Sequence, residues 1–170
     1  TGYSGTVKAQ NGTATNGRIT NLDLNSDTAL AGAVVELGGG TNDASNVTTN
    51  LVLGAATTAV KGIQDAADRK SAGNLICRTA DTVSTLTIDT GDASYSTTSG
   101  VKNSINLVKK GSGTQTFGGD MGSFGSTDGD TDGTIEIQGG KLAFTQADGT
   151  MNVQSLTLNG GTMEVTGTLT

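Results

Sequence analysis

The sequence predicts an all-β chain wound as a parallel β-solenoid, with coils of about 20 residues and loops of irregular length. Three observations carry that expectation. The composition is poor in helix formers, short alternating apolar segments recur along the chain, and two of those segments repeat at a fixed spacing. All 170 residues are read as one domain.

Gly supplies 27 residues and Thr 30, while Pro, His and Trp are absent. Hydrophobic residues make up 33% of the chain, well below the usual globular share. A conventional core of large side chains would therefore struggle to offset the entropy of ordering the backbone. Disorder fits poorly as well: charged residues are only 15% and β-branched residues are abundant, the reverse of the disordered balance. What remains is a repetitive β fold with a thin core of Val, Ile and Leu.

The repeated unit is a small polar residue, an apolar residue, any residue, another apolar residue, then a polar residue or Gly. It reads Asn21-Leu22-Asp23-Leu24-Asn25, Asn50-Leu51-Val52-Leu53-Gly54 and Thr85-Leu86-Thr87-Ile88-Asp89. Thr134-Ile135-Glu136-Ile137-Gln138 and Ser155-Leu156-Thr157-Leu158-Asn159 repeat it, Ser104–Leu107 matches its first four positions, and Val34–Gly38 is a looser copy. Period-two alternation marks strands with one buried face. The last two copies align over ten residues, from Ile135–Phe144 onto Leu156–Val165, at an offset of 21 (156 − 135). Each has a Gly-Gly corner followed by a second strand. A Gly-Gly hairpin would use the same dipeptide, but the offset suits one coil whose strands pair in parallel with the next, about 4.8 Å away. At that rise the chain would form roughly eight rungs and a rod about 40 Å long. Asn25 and Asn159, placed at corners, suggest asparagine ladders.

Upstream spacing between copies varies from nearly twenty to about thirty residues, which implies loops of unequal length. The stretch 55–73 is the least β-like, and its Lys61–Lys70 part suits a short helix or an excursion from the coil. A second excursion is expected at 118–133, rich in Gly, Asp and Ser.

Residues 105–145 carry a further pattern. Ile105-Asn106-Leu107-Val108-Lys109-Lys110-Gly111-Ser112-Gly113-Thr114-Gln115-Thr116-Phe117, followed by Gly139-Gly140-Lys141-Leu142, resembles the strand repeat of autotransporter passenger domains. The resemblance covers about a quarter of the chain well and the 151–165 unit loosely. It departs at Phe117, where the repeat usually has Leu, and the Lys-Gly-Gly signature occurs once. The resemblance implies a right-handed parallel β-helix exported to the bacterial cell surface. It implies no specific activity, because such repeats are scaffold.

The sharpest chemical motif is Asp128-Gly129-Asp130-Thr131-Asp132-Gly133. Asp128, Asp130 and Asp132 alternate as the first ligands of a calcium loop do, with Gly permitting the turn. The twelfth position is Gly139 rather than a bidentate Glu, so Asp120 or Glu136 would have to complete the shell. The competing reading is a solvated acidic loop. The pairs Thr85/Thr87, Thr114/Thr116 and Thr168/Thr170 suggest a flat threonine face of the ice-binding kind, although their spacing is uneven and outward Thr is ordinary on strands. Cys77 lies in an apolar run and is expected in the core; a single cysteine forms no internal disulfide.

Function classes narrow accordingly. Without His there is no Ser-His-Asp or Cys-His arrangement. An acidic pair could in principle cleave glycosides, but Asp65, Asp68, Asp89 and Asp92 sit in turn-like contexts. A net charge of −6 with scattered basic residues argues against nucleic acid. No apolar run is long enough for a helical membrane span. The first residue is Thr1, which suggests a processed or excised piece. The expectation is therefore a non-catalytic, extracellular or bacterial cell-surface element that is structural or adhesive. Its partners would be other copies or adjoining rungs packed end to end, or a host or matrix surface. The alternatives are a self-stacking filament subunit and a calcium-stabilised adhesin.

Overall fold

The computed structural model describes residues 2–11, 19–40, 48–69, 75–78, 83–121, 124, 133–148, 151 and 153–168. None of them is helical. Four sheets form. Sheet A holds β1 (Thr6–Asn11), β3 (Val34–Gly40) and β6 (Gly62–Asp65). Sheet B holds β2 (Ile19–Leu24), β4 (Thr48–Leu53), β7 (Leu75–Arg78) and β10 (Gly100–Val101). Sheet C holds β5 (Thr57–Val60), β8 (Ser84–Asp89), β11 (Ile105–Lys110), β13 (Gly133–Ile137) and β15 (Val153–Leu158). Sheet D holds β9 (Tyr95–Thr97), β12 (Thr114–Phe117), β14 (Gly140–Asp148) and β16 (Gly161–Thr168).

Every ladder between these strands is parallel. The chain visits the sheets in a cyclic order: β5 in C, β6 in A, β7 in B, then β8 in C, β9 in D and β10 in B. Sheet D thus takes over the side of the circuit that sheet A occupied. The handover is visible at β6 and β9, where Thr97 Oγ1 donates to Asp65 Oδ1 at 2.8 Å and Thr98 N to Asp65 Oδ2 at 3.0 Å. Gly62 leaves room for the Tyr95 ring, whose Cδ2 would lie 2.2 Å from a Cβ there.

The 21-residue register expected from sequence is present: Ile135 pairs with Leu156, Ile137 with Leu158, Gly140 with Gly161 and Phe144 with Val165. The Gly-Gly dipeptides are not hairpins. They turn the chain from sheet C to sheet D, and Gly140 and Gly160 do so at φ of 63° and 100°, in the left-handed region. Gly91 and Gly111, φ 58° and 73°, serve the same corner on earlier circuits. Their spacing shows why the corner is legible: one residue without a Cβ recurs wherever the backbone makes this turn.

Inward residues stack into columns, the thin core expected. On sheet D, Thr97, Phe117, Phe144 and Val165 align, with the two rings stacked at 6.0 Å and 19°. On sheet C, Thr58, Leu86, Leu107, Ile135 and Leu156 align. Two details differ from expectation. The stretch 55–73 contains β5 and β6, whose Val60 and Ile63 are fully buried, so its described part is woven into sheets C and A instead of forming a helix or leaving them. Two four-residue strands are too short to stand out as periodic in sequence. The asparagine ladder runs through strands and not corners: Asn50 Nδ2 donates to Asn21 Oδ1 at 3.0 Å. Asn25 instead lies beneath Gly54, and Asn159 donates to Glu136.

Candidate functional site

The two ends of the stack carry the most unusual surfaces. At one end, β15 and β16 are the last strands of sheets C and D. Leu156 and Leu158 continue the inward columns of Ile135 and Ile137, yet they are 48% and 53% exposed where Ile135 is 1% and Ile137 0%. Met163 and Val165 pack only partly against the core. Among the described residues, β15 and β16 each pair with a strand on one side, and these apolar side chains stand in core register beside their other side. Its outer face holds the Lys141–Glu164 ion pair at 2.9 Å.

At the other end, an apolar recess of about 370 Å³ opens below the first strands. Val7 of β1, Leu22 and Leu24 of β2, and Ala29 and Leu30 of the turn between β2 and β3 line it. The turn is held by Tyr3 N donating to Ala29 O at 2.8 Å and by Ala33 N donating to Leu30 O at 2.9 Å. Thr58 contributes to the lining; its Oγ1 is buried with no hydrogen-bond partner among the described residues. On the outer face, Lys8 Nζ lies 2.9 Å from Glu36 Oε1, and that hydrogen bond holds the ammonium above the ordinary lysine range.

Gln115 and Lys109 are among the polar residues buried between these ends. Gln115 is fully buried on β12. Its Oε1 accepts from Ile63 N at 3.0 Å and its Nε2 donates to Ile63 O at 2.9 Å. A side chain thereby completes the backbone pairing of β6 where sheet A gives way to sheet D. Lys109, 1% exposed, replaces an aliphatic residue in the column Val60–Ile88–Lys109–Ile137–Leu158. Its ammonium donates to Thr90 Oγ1 at 2.8 Å, to Gly111 O at 3.1 Å, to Gly139 O at 3.5 Å and to Lys110 O. Burial pushes its pKa down, and the charge of Asp89 opposes that shift. The lysine of the Lys-x-Gly-x-Gly pattern is thus a clamp on corner carbonyls. Alternation from Ile105 and Leu107 places it inward, a signal already present in the sequence.

The acidic candidates divide. Asp128, Asp130 and Asp132 lie outside the described residues. Of the residues considered for completing their shell, Asp120 pairs with Lys102 at 3.3 Å, and Glu136 accepts from Gln138 at 2.9 Å and Asn159 at 3.1 Å. No group of three or more Cys, Asp or Glu that could hold a metal occurs among the described residues. Asp65 uses its carboxylate on Thr97, Thr98 and Arg69, and Asp89 accepts from Gly91 N at 3.2 Å. These contacts make both carboxylates structural acceptors at strand ends. Cys77 lies on β7, opposite Val52, and its side chain is outside the described set.

Of the threonines, Thr85 and Thr87 fall on the outward columns of sheet C, where Thr57–Thr85 and Ala59–Thr87–Val108–Glu136–Thr157 run. A column that mixes Thr with Ala, Val and Glu is not the uniform hydroxyl array a crystalline surface would require. No helix among the described residues is long and apolar enough to cross a membrane.

No family model, curated protein or solved structure matches the chain. The autotransporter resemblance accordingly rests on the residues of 105–145 themselves.

Proposed function

We propose that the chain is a stretch of right-handed parallel β-solenoid that serves outside a bacterial cell as a structural and adhesive element, without catalysis. The observation that carries the reading is the cyclic order of the sheets, with each strand pairing in parallel with its equivalent one circuit on. Parallel connections within a sheet are right-handed in nearly all proteins. A stack of this kind spans distance in proportion to its number of rungs and presents its loops along the sides. The buried side chains of Gln115 and Lys109 are spent on backbone atoms and, for Lys109, on Thr90 Oγ1, which is the work of a scaffold.

A spacer tolerates a change in length, which gives the test. Deleting 135–155 joins Thr134 to Leu156 and removes one whole 21-residue rung in register. The expected product is folded, unfolds cooperatively, and is shorter by about 4.8 Å along its axis in small-angle scattering. A chain that collapses into an unfolded ensemble would count against stacked, interchangeable rungs.

A second reading, a subunit that stacks end to end into a filament, is favoured by the exposure of Leu156 and Leu158 at one end and the apolar recess at the other.

A further inference from the structure

We infer that the stack carries a hinge between the circuit of β6, β7 and β8 and the circuit of β9, β10 and β11. It opens on the side where sheet A gives way to sheet D, and Asp65 and Gln115 latch it there. The hinge rests on the stacked-coil reading above and adds a moving part to it.

These two circuits are joined unequally around their perimeter. On the sheet C side, β11 pairs with β8 along its whole length, from Ile105–Ser84 to Lys110–Asp89. On the sheet B side, β10 meets β7 only at Gly100–Leu75 and Val101–Ile76. On the A/D side no ladder joins β6 to β9 among the described residues, although β3 pairs with β6 and β9 with β12. A junction laddered along one side and unladdered along another opens about its laddered side. Sheet C is therefore the axis of the hinge.

Side chains close the unladdered side. Asp65, the last residue of β6, accepts from Thr97 Oγ1 at 2.8 Å, from Thr98 N at 3.0 Å and from Thr98 Oγ1 at 2.8 Å. Gln115 reaches from β12 to Ile63 N at 3.0 Å and Ile63 O at 2.9 Å. The Tyr95 ring wedges against the Gly62 backbone, so close that a Cβ there would lie 2.2 Å from it. A ladder spreads its bonds over many backbone groups, and no single substitution removes them. This closure hangs on two side chains that must each give up rotamer freedom to hold it. In a solenoid, stability is close to a sum of terms within and between neighbouring circuits. One junction can thus open while the circuits on either side stay folded. The spacer bends at this plane instead of yielding along its length.

Residue-resolved native-state hydrogen exchange tests the hinge, because two amides report on the latch. Ile63 N bonds to Gln115 and Thr98 N to Asp65. In the wild-type chain both should be protected less than the slowest amides of β8 and β11, by on the order of tenfold or more. Asp65→Ala removes no hydrogen bond from Ile63, yet it should lower Ile63 protection by on the order of tenfold. Gln115→Ala should act likewise on Thr98, and in both variants β8 and β11 should change less. Circular dichroism checks that each variant folds, and the wild-type comparison stands without them. Latch amides protected as strongly as β8 and β11 in the wild type would overturn the hinge. A variant that lowers protection by one common factor everywhere would overturn it too, as would one that affects only the amide losing its own bond. Each of these results leaves the stacked coil standing. Absence of protection throughout β8, β11 and β13 would remove both readings.

Discussion

Replacing Gln115 with Leu is expected to cost roughly 3–5 kcal/mol of folding stability, although the two side chains are similar in size. The residue sits fully buried where β6 ends sheet A and β9 begins sheet D. Its amide supplies both hydrogen bonds that Ile63 would otherwise make to a neighbouring strand. Leu would leave the Ile63 N–H and C=O buried without partners, and each such group costs about 1–3 kcal/mol. Hydrophobic gain from Leu offsets only part of that. Urea denaturation measures the difference. A loss below about 1 kcal/mol would mean that β9 pairs with β6 directly and that the amide is dispensable.

Lys109→Met should cost about 2–3 kcal/mol at neutral pH, and the gap should widen in alkali. Met keeps the apolar column but withdraws the ammonium from the carbonyls of Lys110, Gly111 and Gly139. The pH dependence follows from the lowered pKa of Lys109. Below that pKa the amine is charged in both folded and unfolded chains, and the difference between wild type and variant is flat. Above it the folded chain releases a proton that the unfolded chain still holds. The wild type therefore gains stability as pH rises toward the unfolded lysine value of about 10.4, where the gain levels off. Paired denaturation curves from neutral pH upward check this. A gap that shrinks as pH rises would mean that a raised lysine pKa, not a lowered one, characterises the site.

The contrast between what the sequence displayed and what it concealed follows from distance along the chain. Strands such as Thr85–Asp89 and Thr134–Gln138 are legible because alternation is local. The 21-residue register is legible because the dipeptides Gly139-Gly140 and Gly160-Gly161 mark the same corner on successive repeats. β5 and β6 were concealed because four residues hold too few alternations to count, and because Asp65, an inward residue, interrupts the apolar pattern. The inward placement of Lys109 could have been read by extending the alternation from Ile105 and Leu107. Its partners could not, since Thr90 and Gly139 come from neighbouring circuits. Gln115 shows the limit most plainly: Thr114-Gln115-Thr116-Phe117 gives its face, but the target, Ile63, lies 52 residues away on a strand that sequence did not reveal. The ends follow the same rule. Leu156 and Leu158 read as ordinary core residues, while the structure leaves them 48% and 53% exposed on β15.

The parallel stack itself is tested most directly by the distance between spin labels at Ala59 and Thr157, in a chain whose Cys77 is replaced by Ser. These positions share one outward column of sheet C and stand four strand spacings apart. Electron–electron dipolar spectroscopy should give a single narrow distribution near 19 Å between backbones, widened by the reach of the labels, from about 4.8 Å per spacing. A broad distribution, or one centred well beyond about 30 Å, would contradict a parallel stack in register.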